Sequence, residues 1–194
     1  MRCARGVAAI AGLVLVGAAP GALAHSFGAG GAGFGAGFGH PFLGLDHLAA
    51  MVAIGVWAAQ AGWRPVWSMP LVFMAVMAFA ATLAFAGITL PAIEAGIAAS
   101  LLVLGLLIAA AVHLPALAGA VIVAVFALFH GHAHGAEIPQ ATAPWLYAGG
   151  FLLATGLLHA AGIFAARQWA ARRPWLARAA GLVLSAGGAW MLLG

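Results

Sequence analysis

Six apolar runs, each about 20 residues long and so able to cross a bilayer as a helix, follow one another along this chain. They fall at roughly 38–60, 67–88, 92–112, 115–136, 145–166 and 174–193. Short breaks containing Pro, Gly or Arg separate them: "AGWRP" at 61–65, "GITLP" at 87–91, "HLP" at 113–115, "EIPQATAP" at 137–144 and "RQWAARRP" at 167–174. Charged residues make up only 5% of the chain, against about 25% in a soluble domain. The expected class is therefore an all-α integral membrane bundle of six transmembrane helices, with no room for a soluble domain. Seven basic residues against three acids give the net charge of +4. No basic cluster is interleaved with aromatics, so nucleic acid is not an expected partner.

Residues 1–24, "MRCARGVAAIAGLVLVGAAPGALA", read as a signal peptide. Arg2 and Arg5 charge its start, a short apolar core containing Pro20 follows, and Ala22-Leu23-Ala24 supplies small residues for cleavage. Cleavage would leave 25–194 as the membrane domain, remove Cys3 (the chain's one cysteine) and expose His25 as the new N-terminus. His25 would then combine an α-amine and an imidazole in one residue, a pair able to chelate a divalent metal. Arg64 lies in the first connection, Arg167, Arg172 and Arg173 in the fifth, and Arg178 begins the last span. This bias puts those connections in the cytoplasm and both mature termini in the periplasm of a bacterial inner membrane. Trp57, Trp63, Trp67, Trp145 and Trp175 lie near span ends and read as interfacial anchors. The glycine-rich stretch 26–39 allows two readings: a flexible leader, or close helix packing through Gly31, Gly35 and Gly39.

Polar residues stand out against this background. The first span opens "HPFLGLDHLAAM" at 40–51. On a continuous helix His40 and His47, seven apart, would share a face to within about 20°. Asp46 is the chain's one aspartate, and an intramembrane carboxylate pairs, lines a water-filled cavity or binds a cation. Pro41 and Gly44 suggest a broken first turn, and Met51 could add a thioether. The fourth span ends "FHGHAHGAE" at 129–137. His130, His134 and Glu137 share one helical face, whereas His132 points elsewhere, toward another helix or the vestibule. Imidazole and carboxylate together suit a divalent transition metal. His159, deep in the fifth span, reads either as a relay ligand or as a packed core histidine. His113 reads as a loop residue, and Glu94 as a carboxylate favoured by a helix N-terminus or a third acid in the vestibule.

"HPFLGLDHLAAM", "FHGHAHGAE" and the "LLHAAG" element around His159 closely resemble the signature segments of the HupE/UreJ family of nickel and cobalt permeases. The resemblance covers essentially the whole chain after the leader. It implies import of Ni²⁺, or Co²⁺, as transported substrate for hydrogenase or urease maturation, with no organic cofactor. By motif match it implies metal handling by His40, Asp46, His47, His130, His132, His134 and Glu137. A homo-oligomer and a cytoplasmic metallochaperone are compatible partners. The separate nickel/cobalt transporter family spaces its His and Asp-His by four residues; here "PFLGL" makes five. Ligand chemistry alone admits Ni²⁺, Co²⁺ or Zn²⁺. With no nucleotide-binding motif, ATP hydrolysis by this chain is excluded. Two other classes stay open: a haem-binding membrane protein with axial histidines, or a metal-binding accessory protein without transport. An enzyme is not expected, since Ser100 lacks a Gly-x-Ser-x-Gly context.

Overall fold

The computed structural model describes residues 33–138, 143–170 and 172–194. The expected signal peptide, His25 and Gly31 lie outside them. Regular structure among the described residues is all helical: α1 Phe34–Gly39, a 3₁₀ turn His40–Phe42, α2 Leu45–Gln60, α3 Ser68–Phe85, α4 Ile93–Ala109, α5 Ala116–Ala136, α6 Pro144–Ala165 with a π-helical extension Ala166–Ala170, and α7 Pro174–Leu193. Proline opens α6 and α7, where its missing N–H costs nothing and its fixed φ is already helical. Gly62 and Gly87 adopt positive φ just past the ends of α2 and α3, a conformation that costs glycine nothing.

The first apolar run is not one straight helix. Pro41 sits in the 3₁₀ turn and Gly44 is extended at the start of α2, so the segment bends by 83°. The shared helical face expected for His40 and His47 is thereby replaced by a corner, while the broken turn suggested by Pro41 and Gly44 is found. Four helices, α3, α5, α6 and α7, are long and apolar enough to cross a membrane, and the bent pair makes a fifth. α4 is apolar but has 17 residues, about 25 Å at 1.5 Å per residue.

Helices in lipid gain little from burying apolar side chains against each other, so close backbone approach has to come from small residues. Three contacts of this kind organise the bundle. Gly131 and Gly135 of α5 lie on the backbone of α3 at Met77 and Ala81. Gly105 of α4 meets Gly181 and Ser185 of α7. Gly55 of α2 lies on the His159 carbonyl of α6, and Gly162 answers it against Val52. α1 docks on α6 through Gly37 against Tyr147 and Gly150 against Phe34, whereas Gly33, Gly35 and Gly39 meet nothing within 4 Å among the described residues. The glycine segment therefore packs, but through Gly37 rather than the Gly35 and Gly39 of the four-residue stripe.

Leu71, Phe79, Leu117, Leu153, Leu157 and Trp190 are exposed on the outside of the bundle, and Trp57, Phe73, Met51, Ile54 and Met77 fill its interior. Trp57 and Trp63 are thus not interfacial anchors. They are buried, stack edge to face at 4.7 Å and donate to the Val112 and Leu114 carbonyls of the α4–α5 connection. Trp67, Trp145 and Trp175 are exposed, as anchors would be. Gln60 donates to the Ile108 carbonyl and Ser185 to that of Leu102.

A side chain at position 55 would have to push α2 off α6. Gly55→Val should destabilise the protein by about 1–3 kcal/mol through overpacking, seen as a lower midpoint of thermal unfolding in detergent. Gly187→Ala, where a methyl group meets nothing within 4 Å among the described residues, should not lower that midpoint, since alanine is the better helix former.

Candidate metal site

The motif at the end of α5 divides its residues among three directions. Successive helical residues turn by about 100°, so 130 and 134 face one way, 131 and 135 a second, and 132 a third. His130 and His134 point into the bundle and are buried, and Gly131 and Gly135 form the packing surface for α3. His132 reaches the α3–α4 connection, its Nε2 lying 2.8 Å from the Ile88 carbonyl and 3.0 Å from the Leu90 N–H. That nitrogen either donates to Ile88 or accepts from Leu90, according to tautomer. Sequence reasoning attended to the histidines and overlooked the glycines, although small residues at four-residue spacing are a packing signal.

The corner in the first apolar run supplies the facing wall. His40 in the 3₁₀ turn places Nε2 2.9 Å from Oε2 of Glu137. That contact holds the Glu137 carboxyl below its ordinary pKa, so this acid stays anionic at neutral pH. His134 Nδ1 is 4.0 Å from the same oxygen, too far for a hydrogen bond. One ligand atom each from His40, His134 and Glu137 fall within 4.8 Å of one another. Two atoms bound to one ion at about 2.0–2.2 Å lie at most about 4.4 Å apart, so small side-chain rotations close this trio on an ion.

A second group lies immediately beside it. Asp46, in the first turn of α2, accepts from the His47 backbone N–H at 2.8 Å and pairs with His47 Nδ1 at 2.9 Å. With Nδ1 engaged, Nε2 of His47 is left with its lone pair bare, and it is buried without a partner among the described residues. The His47 ring is 4.3 Å from that of His134 and 5.0 Å from that of His130, and His40 is 5.0 Å from His134. α2 and α5 thus meet through imidazoles across an intervening gap. His130 repeats the His47 pattern with a different anchor, Nδ1 bonding the Phe126 carbonyl at 3.0 Å and Nε2 unpartnered among the described residues. Fixing one ring nitrogen through a carboxylate or carbonyl sets the tautomer and aims the other at a metal.

His159 also bonds only backbone, its Nδ1 lying 2.9 Å from the Thr155 carbonyl, as a packed core histidine would. Its Nε2 nevertheless remains buried and unpartnered among the described residues, as does Thr155 Oγ1. Phe73 of α3 touches both His130 and His159, and Phe151 and Tyr147 of α6 flank His40. Nothing in the sequence marked these aromatics, because a Phe in an apolar run looks like packing. Met51 is buried in the hydrophobic core, His113 is exposed in the α4–α5 connection, as a loop residue would be, and Glu94 is exposed in the first turn of α4. Ser100 donates to the Ile97 carbonyl, as interior helix serines commonly do.

A protein-family model described as HupE / UreJ protein matches residues 13–191. The chain belongs to the HupE/UreJ family. It is also similar to Protein HupE of Rhizobium leguminosarum bv. viciae, with 47% identity over 117 residues, 60% of this chain and 61% of that protein. The alignment therefore spans less than two thirds of the relative. No solved structure matches. Membership agrees with the apolar, multi-helix membrane character of the bundle.

Asp46 touches His47 rather than reaching past it, so its effect on metal binding should run through the tautomer of that ring. Asp46→Asn should weaken Ni²⁺ binding by the purified protein about 10- to 100-fold, the usual cost of losing a carboxylate behind a ligating histidine. His132→Ala should lower thermal stability by loosening the 88–90 segment and change the affinity far less. Equilibrium ⁶³Ni binding in detergent measures both.

Proposed function

We propose that the protein is a secondary permease that carries Ni²⁺, with Co²⁺ as a second cargo, from the periplasm to the cytoplasm across the bacterial inner membrane. It does so without hydrolysing ATP. The observation that carries this reading is His134: both its ring nitrogens are buried and unpartnered among the described residues, and its ring lies between two other ligand groups. On one side are His40 and Glu137, on the other His47 and His130. An ion captured by His40, His134 and Glu137 keeps His134 while exchanging its other ligands for His47 and His130. Shared ligands make such an exchange stepwise, so the ion is never bare in an apolar interior, where an unpaired charge is prohibitively expensive. Imidazole and carboxylate suit Ni²⁺, Co²⁺ and Zn²⁺ alike, and the choice of nickel and cobalt rests on the family.

The reading includes six crossings, with the bent α1–α2 segment as the first and the short α4 as the third. Both mature termini then face the periplasm and the arginine-bearing connections the cytoplasm. It also includes cleavage after Ala24 and an inner role for His159. His25 would assist capture from the new N-terminus.

Uptake of ⁶³Ni by cells expressing the chain is the direct test. Time-dependent accumulation, inhibited by excess Co²⁺, is expected; uptake no greater than in cells without the protein overturns the permease. His134→Ala should reduce initial uptake at least about 10-fold, as expected for a lost ligand, and His113→Ala should leave it near normal. N-terminal sequencing of the membrane-inserted protein should begin at His25, and a chain starting at Met1 removes the signal peptide and the His25 chelate together.

A further inference from the structure

One aromatic ring touches both the outer ligand cluster and His159. Phe73 lies in the first half of α3 and is completely buried. Its ring centroid is 5.6 Å from that of His130 and 5.4 Å from that of His159, with the planes inclined by 63° and 51°. No direct contact between the two imidazole rings is found among the described residues. Both rings are held alike, with Nδ1 on the backbone carbonyl four residues earlier and Nε2 buried and unpartnered among the described residues. Thr155 is one turn from His159 and on the same face of α6. Its hydroxyl is fully buried and likewise unpartnered among the described residues. Buried polar atoms ordinarily find partners, and each exception requires a reason. Here three such atoms, from two helices, lie on residues around a single apolar ring or next to those that touch it.

We propose that Phe73 is the gate of the ion path. Its ring closes the way between His130 and an inner station made by His159 Nε2 and Thr155 Oγ1, and turning the ring lets the ion cross. The proposal rests on the permease reading above and adds to it the point at which movement is controlled. A phenyl ring suits the task for two reasons. It is flat, so a rotation about its side-chain bonds changes the space it blocks without moving the helix. Its face also carries partial negative charge and attracts a cation during the crossing, yet offers no donor or acceptor that would bind the ion in place of histidine. Leucine fills a comparable volume but has neither property: it is branched in every orientation and lacks a π face. In that position it is a fixed plug.

Two variants and two readouts test this with the full-length protein. Equilibrium ⁶³Ni binding in detergent reports the outer ligands, and initial ⁶³Ni uptake into proteoliposomes reports the crossing. Phe73→Leu should bind Ni²⁺ within about twofold of wild type while its uptake falls at least about 10-fold, a loss confined to the barrier rather than to binding. Phe73→Tyr keeps a flat aromatic ring and should retain uptake within a few-fold. Uptake by Phe73→Leu at the wild-type rate overturns the gate. Loss of binding along with uptake in Phe73→Leu also overturns it, because the ring then shapes the outer site instead. A Phe73→Tyr variant as slow as Phe73→Leu would deny the ring any special part and overturns it as well. If the wild-type protein binds Ni²⁺ but moves none, the permease itself fails and the gate falls with it; normal wild-type transport with any of the preceding three results sinks the gate alone.

Discussion

An imidazole nitrogen buried in an apolar interior with nothing to bond is expensive, and this bundle keeps several of them. His47, His130 and His159 each anchor Nδ1, on Asp46, Phe126 and Thr155 respectively, and leave Nε2 bare; His134 leaves both nitrogens bare, among the described residues. An isolated unsatisfied group of this kind costs about 1–3 kcal/mol. Packing alone would have favoured apolar residues at these positions. The anchoring bonds also remove the freedom that would let the rings turn away and find backbone partners. A site with its lone pairs already aimed loses little on binding an ion, because the ordering has been done during folding.

That preorganisation depends on how the chain bends and on where it has no side chains. The corner at Leu43 and Gly44 swings His40 over the end of α5 so that it meets Glu137, which no straight helix through 40–60 could do. Gly131 and Gly135 bring α5 against α3, leaving the alternate face of the same turns to carry His130 and His134. Gly55 and Gly162 do the same for α2 and α6, beside His159. The ligands and the packing glycines therefore interleave within single helical turns.

Much of this was legible in the residues. Apolar run length located the helices α3 to α7 to within about three residues, because a membrane interior leaves the backbone no alternative to helix. The i, i+4 and i+7 spacing put His130, His134 and Glu137 on one face, and Pro41 with Gly44 announced a break. The direction of that break was not legible, since a proline shows where a helix stops but not where the chain goes next. Trp57 and Trp63 were misread because position near a span end is shared by lipid anchors and by tryptophans that bond a neighbouring loop. Phe73 could not be found at all: its significance lies in touching two histidines from different helices, a purely tertiary fact. The family match over residues 13–191 agrees with the motifs from which the resemblance was drawn.

The helices carrying the site fall into two tightly packed groups. α3 and α5 are joined through Gly131 and Gly135 and bring Phe73, His130 and His134. α1, α2 and α6 are joined through Gly37, Gly55, Gly150 and Gly162 and bring His40, Asp46, His47 and His159. Between the groups the backbones of α2 and α3, and of α3 and α6, make sparser contact, and imidazoles and aromatic rings fill the space. His40 with His134, His47 with His130 and His47 with His134 each span that division, as does Phe73 with His159. The C-terminal end of α2 is tied to α4 and the connection beyond it through Gln60, Trp57 and Trp63. The contact between the groups is thus sparse where the imidazoles face one another, while the far end of α2 is held by hydrogen bonds to α4 and its connection.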